Sequence, residues 1–134
     1  MLARPRAVLL AAVVVVVAAG LVVATSASGP LADPAGDALY AVLVYVLVLL
    51  VVPRLAPWRA GVVATAVCAA VEVAQLTGAP AALVQAVPVS RFVVGTTFVP
   101  VDLVAYAVGA GLAMVVDAGA VRMVRRSREG RPTR

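Results

Sequence analysis

The sequence predicts an all-α protein, an integral membrane bundle of four transmembrane helices with an apolar, Pro/Gly-broken outer loop between the third and fourth. Three observations predict it. Hydrophobic residues make up 64% of the 134, well above an ordinary soluble domain. Four apolar runs approach the ~20 residues that a helix needs to cross a hydrocarbon core of ~30 Å. The basic residues gather at alternate ends of those runs, as the positive-inside bias requires. A single transmembrane domain is expected over residues 1–121, followed by a basic, disordered cytoplasmic tail over 122–134.

The first run, Ala7 to Ala24, follows Arg4 and Arg6. A basic start, an apolar middle and Thr25-Ser26-Ala27 as a cleavage site would also describe a signal peptide. Eighteen residues without a charged or polar side chain exceed the usual apolar region of about 7–15, which favours a retained helix over 7–24. Thr25 to Gly36 is polar and carries the breakers Gly29-Pro30 and Asp33-Pro34. The second helix is expected over 38–52, ended by Pro53. The short linker with Pro53, Arg54, Pro57 and Arg59 makes it an antiparallel hairpin with the third, 58–77, which stops at Gly78 and Pro80. Trp58 sits where an interfacial aromatic anchor belongs.

Residues Gly78 to Pro100 are apolar but interrupted by Pro80, Pro88, Gly95 and Pro100. They read as a surface-lying or partly re-entrant loop with a short helix such as Ala81 to Val87. Non-helical backbone survives at membrane depth only where protein or water satisfies it. The fourth helix is expected over 101–118, with Pro100 suited to its start, where a missing N–H does no harm.

All eleven basic residues are Arg, and there is neither Lys nor His. An Ala/Val/Arg vocabulary of this kind points to a GC-rich bacterial genome. The net charge of +5 does not indicate nucleic acid here, because six Arg fall between Arg122 and Arg134, directly after an apolar run. Anionic lipid attracts such a segment by about 1 kcal/mol per basic residue near the surface. Arg4, Arg6, Arg54, Arg59 and those six share one side of the predicted topology, against Arg91 alone on the other. Both termini are therefore expected in the cytoplasm of a multi-pass protein of the bacterial cytoplasmic membrane. Cys68 is the one cysteine; it allows no internal disulfide and reads as a packing residue.

Glu72 is the most informative residue, because it lies inside the third run. A charge in hydrocarbon costs about 3 kcal/mol at mid-bilayer and less toward an edge. Glu72 should sit about 8 Å below the outer end of its helix, with Gln75 three residues on and on the same face. The second and fourth helices both begin at that end, carrying Asp37 and Asp102, and Arg91 lies on the outer loop. Plain structural roles exist for most of these. Asp37 could cap a helix start, Asp102 could complement a helix dipole, and Arg91 could snorkel to headgroups. Glu72 could form a structural ion pair with Arg91, and Gln75 an interhelical hydrogen bond. Tyr106 is four residues after Asp102 on the same stripe. Ala105, Gly109 and Ala113 repeat small residues at four-residue spacing, which allows close helix contact. Tyr40 and Tyr45 read as packing aromatics.

Gly36-Asp37-Ala38-Leu39-Tyr40, Glu72-Val73-Ala74-Gln75 and Asp102-Leu103-Val104-Ala105-Tyr106-Ala107-Val108-Gly109 together resemble the VanZ-like membrane proteins, most closely a branch known only as a domain of unknown function. The resemblance spans the first helix to the fourth. It implies that Asp37, Glu72, Gln75, Asp102 and Gly109 occupy the family's recurring polar and glycine positions, with Arg91 as its loop arginine. Many VanZ-like proteins have a His after the first Asp and an Asn where Tyr106 stands. This chain has neither, which weakens the transfer of the family's association with glycopeptide resistance and favours the uncharacterised branch; the family implies no catalytic mechanism.

The missing residue types narrow the chemistry. Without His, the commonest acid, base and metal ligand is gone; without Lys, there is no Schiff base. No nucleophile–His pair can form. The leading expectation is an accessory or binding role: an outer-leaflet site of Asp37, Glu72, Gln75, Arg91, Asp102 and Tyr106 that takes an envelope component, a lipid headgroup, a glycan-linked ligand or a cation. No catalytic residue is assigned; Glu72 is the candidate general base if the protein is a membrane enzyme acting on a lipid-linked substrate. A transporter or proton-path subunit is the third reading. No cofactor and no resident metal site are expected. The partners anticipated are the bilayer and a second copy of the chain.

Overall fold

The computed structural model describes residues 3–26, 28, 29, 31–90 and 99–129. They form α1 (Arg6–Ser26), α2 (Ala32–Val51), α3 (Pro57–Gln75), a short α4 (Ala79–Ala86), a 3₁₀ turn (Pro88–Ser90) and α5 (Asp102–Glu129). The architecture is all-helical, with no strand among the described residues. Four of the helices, α1, α2, α3 and α5, are long and apolar enough to cross a membrane.

The boundaries differ most from expectation at two helices, for local reasons. α2 begins at Ala32 and not at residue 38, so Asp33-Pro34 lies in its first turn. The first N–H groups of a helix have no partner within it, so Pro34 removes nothing there. Asp37 is therefore the sixth residue of α2 and not its cap. α5 continues to Glu129 where a helix ending at 118 and a disordered tail were expected. Arg is a good helix former, and Arg125 and Glu129 pair one turn apart at 2.9 Å. At the other end, Pro100 precedes the first helical residue by two positions, and Asp102 supplies the acidic group in the first turn. α3 starts on Pro57 and is closed by Gly78, whose φ of 74° is left-handed. In the interrupted segment, α4 spans Ala79–Ala86, two residues ahead of the helix expected there.

α2 and α5 form the centre, with α1 against α2 and α3 against both α2 and α5. The buried residues follow one face of each helix. α2 contributes Ala41, Val44, Tyr45 and Leu49; α3 contributes Ala60, Ala64 and Cys68; α5 contributes Tyr106 and Ala110. In lipid the tails are as apolar as leucine, so close van der Waals packing of small residues holds such helices together. The closest approach is at Gly109, where an added Cβ would collide with the backbone of Ala38. Gly61 faces the Met114 side chain of α5, which an added Cβ would meet at 3.4 Å. Large apolar residues on the outer faces, such as Val14, Val22, Val108 and Leu112, are exposed, as lipid contact requires.

Candidate functional site at the Glu72 end of the bundle

The inward face of α3 is set by Ala60, Ala64, Cys68 and Glu72, spaced four residues apart and all buried. That register leaves Glu72 no route to lipid or water: the residue is 1% exposed. It sits in the last turn of α3, where the helix dipole opposes a negative charge. Two donors from outside the helix compensate. The backbone N–H of Val99 donates to Oε1 at 2.6 Å, and the hydroxyl of Tyr106 donates to Oε2 at 3.2 Å. Val99 lies just ahead of α5 and Tyr106 one turn into it, so Glu72 ties α3 to the start of α5 at two points.

The same end holds Asp37 from α2 and Asp102 from α5. Their carboxyl groups meet side chain to side chain, and both lie within electrostatic range of Glu72. Both aspartates are half-buried, unlike Glu72. Tyr40 of α2 packs on Tyr106 with ring centroids 6.2 Å apart and planes tilted by 59°, within the range of favourable aromatic pairs. Gly109 makes this convergence possible. By letting α5 touch the backbone of Ala38, it brings the residue before it in α2, Asp37, toward the first turn of α5.

Of the six residues singled out in the sequence, Asp37, Glu72, Asp102 and Tyr106 come together here. Gln75 ends α3 half-buried, one turn beyond Glu72. Arg91 lies outside the described residues, and so does any ion pair it makes. Among the described residues no three His, Cys, Asp or Glu side chains are placed to hold a metal ion.

A second polar cluster, at the opposite end of the bundle, was missed in the sequence. Asp117 of α5 accepts a forked pair of bonds from Arg4, from Nε at 2.6 Å and from Nη2 at 2.5 Å. Arg4 Nη1 also donates to the carbonyls of Pro53 and Leu55, at 2.9 and 3.0 Å. Tyr45 donates its hydroxyl to Asp117 Oδ2 at 2.7 Å. Both charged side chains are largely buried, at 10% and 14% exposure. The signal was present: one more step along Ala105, Gly109 and Ala113 lands on Asp117.

Searches among curated proteins and among solved structures found no match. A family model described as a protein of unknown function, DUF2809, matches residues 26–110. The matched segment contains Asp37, Glu72, Asp102 and Tyr106, whereas Arg4 and Asp117 fall outside it. The chain belongs to the DUF2809 family.

Proposed function

We propose that this is a multi-pass protein of the bacterial cytoplasmic membrane, with both termini in the cytoplasm, whose Glu72 end faces outward and binds an envelope component. The reading rests above all on the half-buried Asp37–Asp102 pair at the same end of the bundle as the fully buried Glu72. Two carboxyl groups in contact repel one another when both are ionised. A proton relieves them, and so does a ligand rich in donors. Glu72 has both oxygens already engaged, so it forms the floor of the site, and the aspartates are the groups a ligand meets. Gln75, one turn beyond Glu72, would stand at its edge.

A cationic or hydroxylated organic headgroup supplies the donors that two adjacent carboxylates accept. The general-base reading of Glu72 is less well supported, since its two oxygens accept bonds within the protein and the residue is closed to substrate.

The test is thermal unfolding of purified protein with short-chain phosphatidylethanolamine, phosphatidylglycerol and a polyprenyl-linked sugar. One of these should raise the unfolding temperature of the wild type and leave a folded Asp37→Asn/Asp102→Asn variant unmoved. Equal protection of both proteins would refute the site.

A further inference from the structure

The two ends of α5 are unlike, and its lipid-facing side runs continuously from one to the other. Val104, Val108, Leu112 and Val115 are 52–64% exposed. They lie four, four and three residues apart, which is one face of a helix. Continued at the same spacing, that face passes through exposed Gly119 to Arg122 and Arg126, both exposed. The side of α5 that meets acyl chains therefore changes, without turning, into a pair of guanidinium groups.

The change falls at a level that the structure marks. Asp117 is bound to Arg4, which bonds the carbonyls of Pro53 and Leu55 in the α2–α3 connection. The connection, and with it the end of the spanning region, lies level with Asp117. Arg122 is five residues farther on, about 8 Å along the axis. α5 as a whole is 28 residues long, about 42 Å, against a hydrocarbon core of ~30 Å. The surplus carries the arginines into the headgroup layer. Arg54 and Arg59 are exposed at the same level, Arg59 stacked 5.2 Å from the ring centroid of exposed Trp58.

The acids of this end are already engaged: Asp117 holds Arg4 and Glu129 holds Arg125. Among the described residues no carboxylate pairs with Arg54, Arg59, Arg122 or Arg126. We infer that Arg122 and Arg126 form a binding site for the phosphate of an anionic phospholipid whose acyl chains lie along Val108, Leu112 and Val115. The planar fork of Arg suits a phosphate diester, and two of them one turn apart can hold it from both sides. This site is at the opposite end of the bundle from Asp37 and Asp102 and does not depend on the function proposed for them.

Native mass spectrometry of the full chain released from detergent, titrated with phosphatidylglycerol and phosphatidylcholine, tests it. The wild type should retain phosphatidylglycerol in preference to phosphatidylcholine. Arg122→Gln/Arg126→Gln should weaken retention by roughly tenfold to thirtyfold, while Arg125→Gln, whose partner is Glu129, should keep it. Equal retention of the two lipids by the wild type, or unchanged retention in the double variant, would overturn the assignment. Loss in the Arg125→Gln control as well would reduce it to diffuse charge attraction and overturn it too. Circular dichroism and monodispersity of each variant separate a lost site from a lost fold.

Discussion

Glu72 and Gly109 are coupled although they never touch. Gly109 sets the distance between α2 and α5, and that distance decides whether Asp37 reaches Asp102 at the Glu72 end of the bundle. A Cβ at Gly109 would meet the backbone of Ala38, which cannot rotate away as a side chain can. Gly109→Ala should therefore destabilise the bundle by about 1–3 kcal/mol or more, read as a lower unfolding temperature in detergent. Gly111→Ala, with nothing within 4 Å, should change it little. Tyr106→Phe keeps the ring packing on Tyr40 but leaves Glu72 Oε2 without its donor, a loss of about 1–3 kcal/mol for a buried acceptor. A Tyr106→Phe protein as stable as wild type would show that the 3.2 Å contact carries no weight. At this scale the sequence was partly legible. A carboxylate in an apolar run marks itself, because burial without partners is so costly. Which partners it takes did not show, since Val99 contributes only its backbone N–H, and any residue type can do that.

Among the elements, α1 is held most firmly near its first turn. Leu9 is its one buried residue, with Ala12 and Val13 packed against the core, and Arg4 just ahead binds Asp117. Truncating either partner leaves the other largely buried without its counter-charge. Arg4→Gln or Asp117→Asn should each cost about 3–5 kcal/mol. The double variant should cost clearly less than the sum, and a double-mutant cycle in detergent unfolding measures the coupling. Strict additivity would show the pair to be independent. Helix existence and order were legible because the bilayer imposes a length on each span. The ends were less so. Pro34 read as a breaker although the first turn of a helix tolerates it, and a run of Arg read as a solvated tail although Arg sustains a helix. Asp117 was overlooked because it stands next to the expected end of an apolar run, where a charge raises no alarm. The face it shares with Gly109 and Ala113 was the better guide.

For the whole molecule, the distribution of Arg gives the orientation proposed above. Cys68 is wholly buried, so the natural chain serves as a background for single-cysteine labelling. In intact cells an impermeant maleimide should label Ser28→Cys and not Arg54→Cys; in inverted vesicles the pattern should reverse. Labelling of Arg54→Cys in intact cells would invert the topology and place Glu72 toward the cytoplasm. Overall architecture was the most legible level, since hydropathy and charge act on every residue of a span at once. A ligand leaves its mark on a few side chains only, so its chemistry was narrowed and its identity was not.

The Arg4–Asp117 pair joins positions 113 residues apart. Arg4 precedes all four long helices along the chain, and Asp117 lies within the last of them. Until Asp117 has been made, the guanidinium of Arg4 has no carboxylate to meet at this end of the bundle. Any chain terminated before Asp117 leaves that arginine without its mate. The closing of this single ion pair therefore requires the last of the four long helices to be in place.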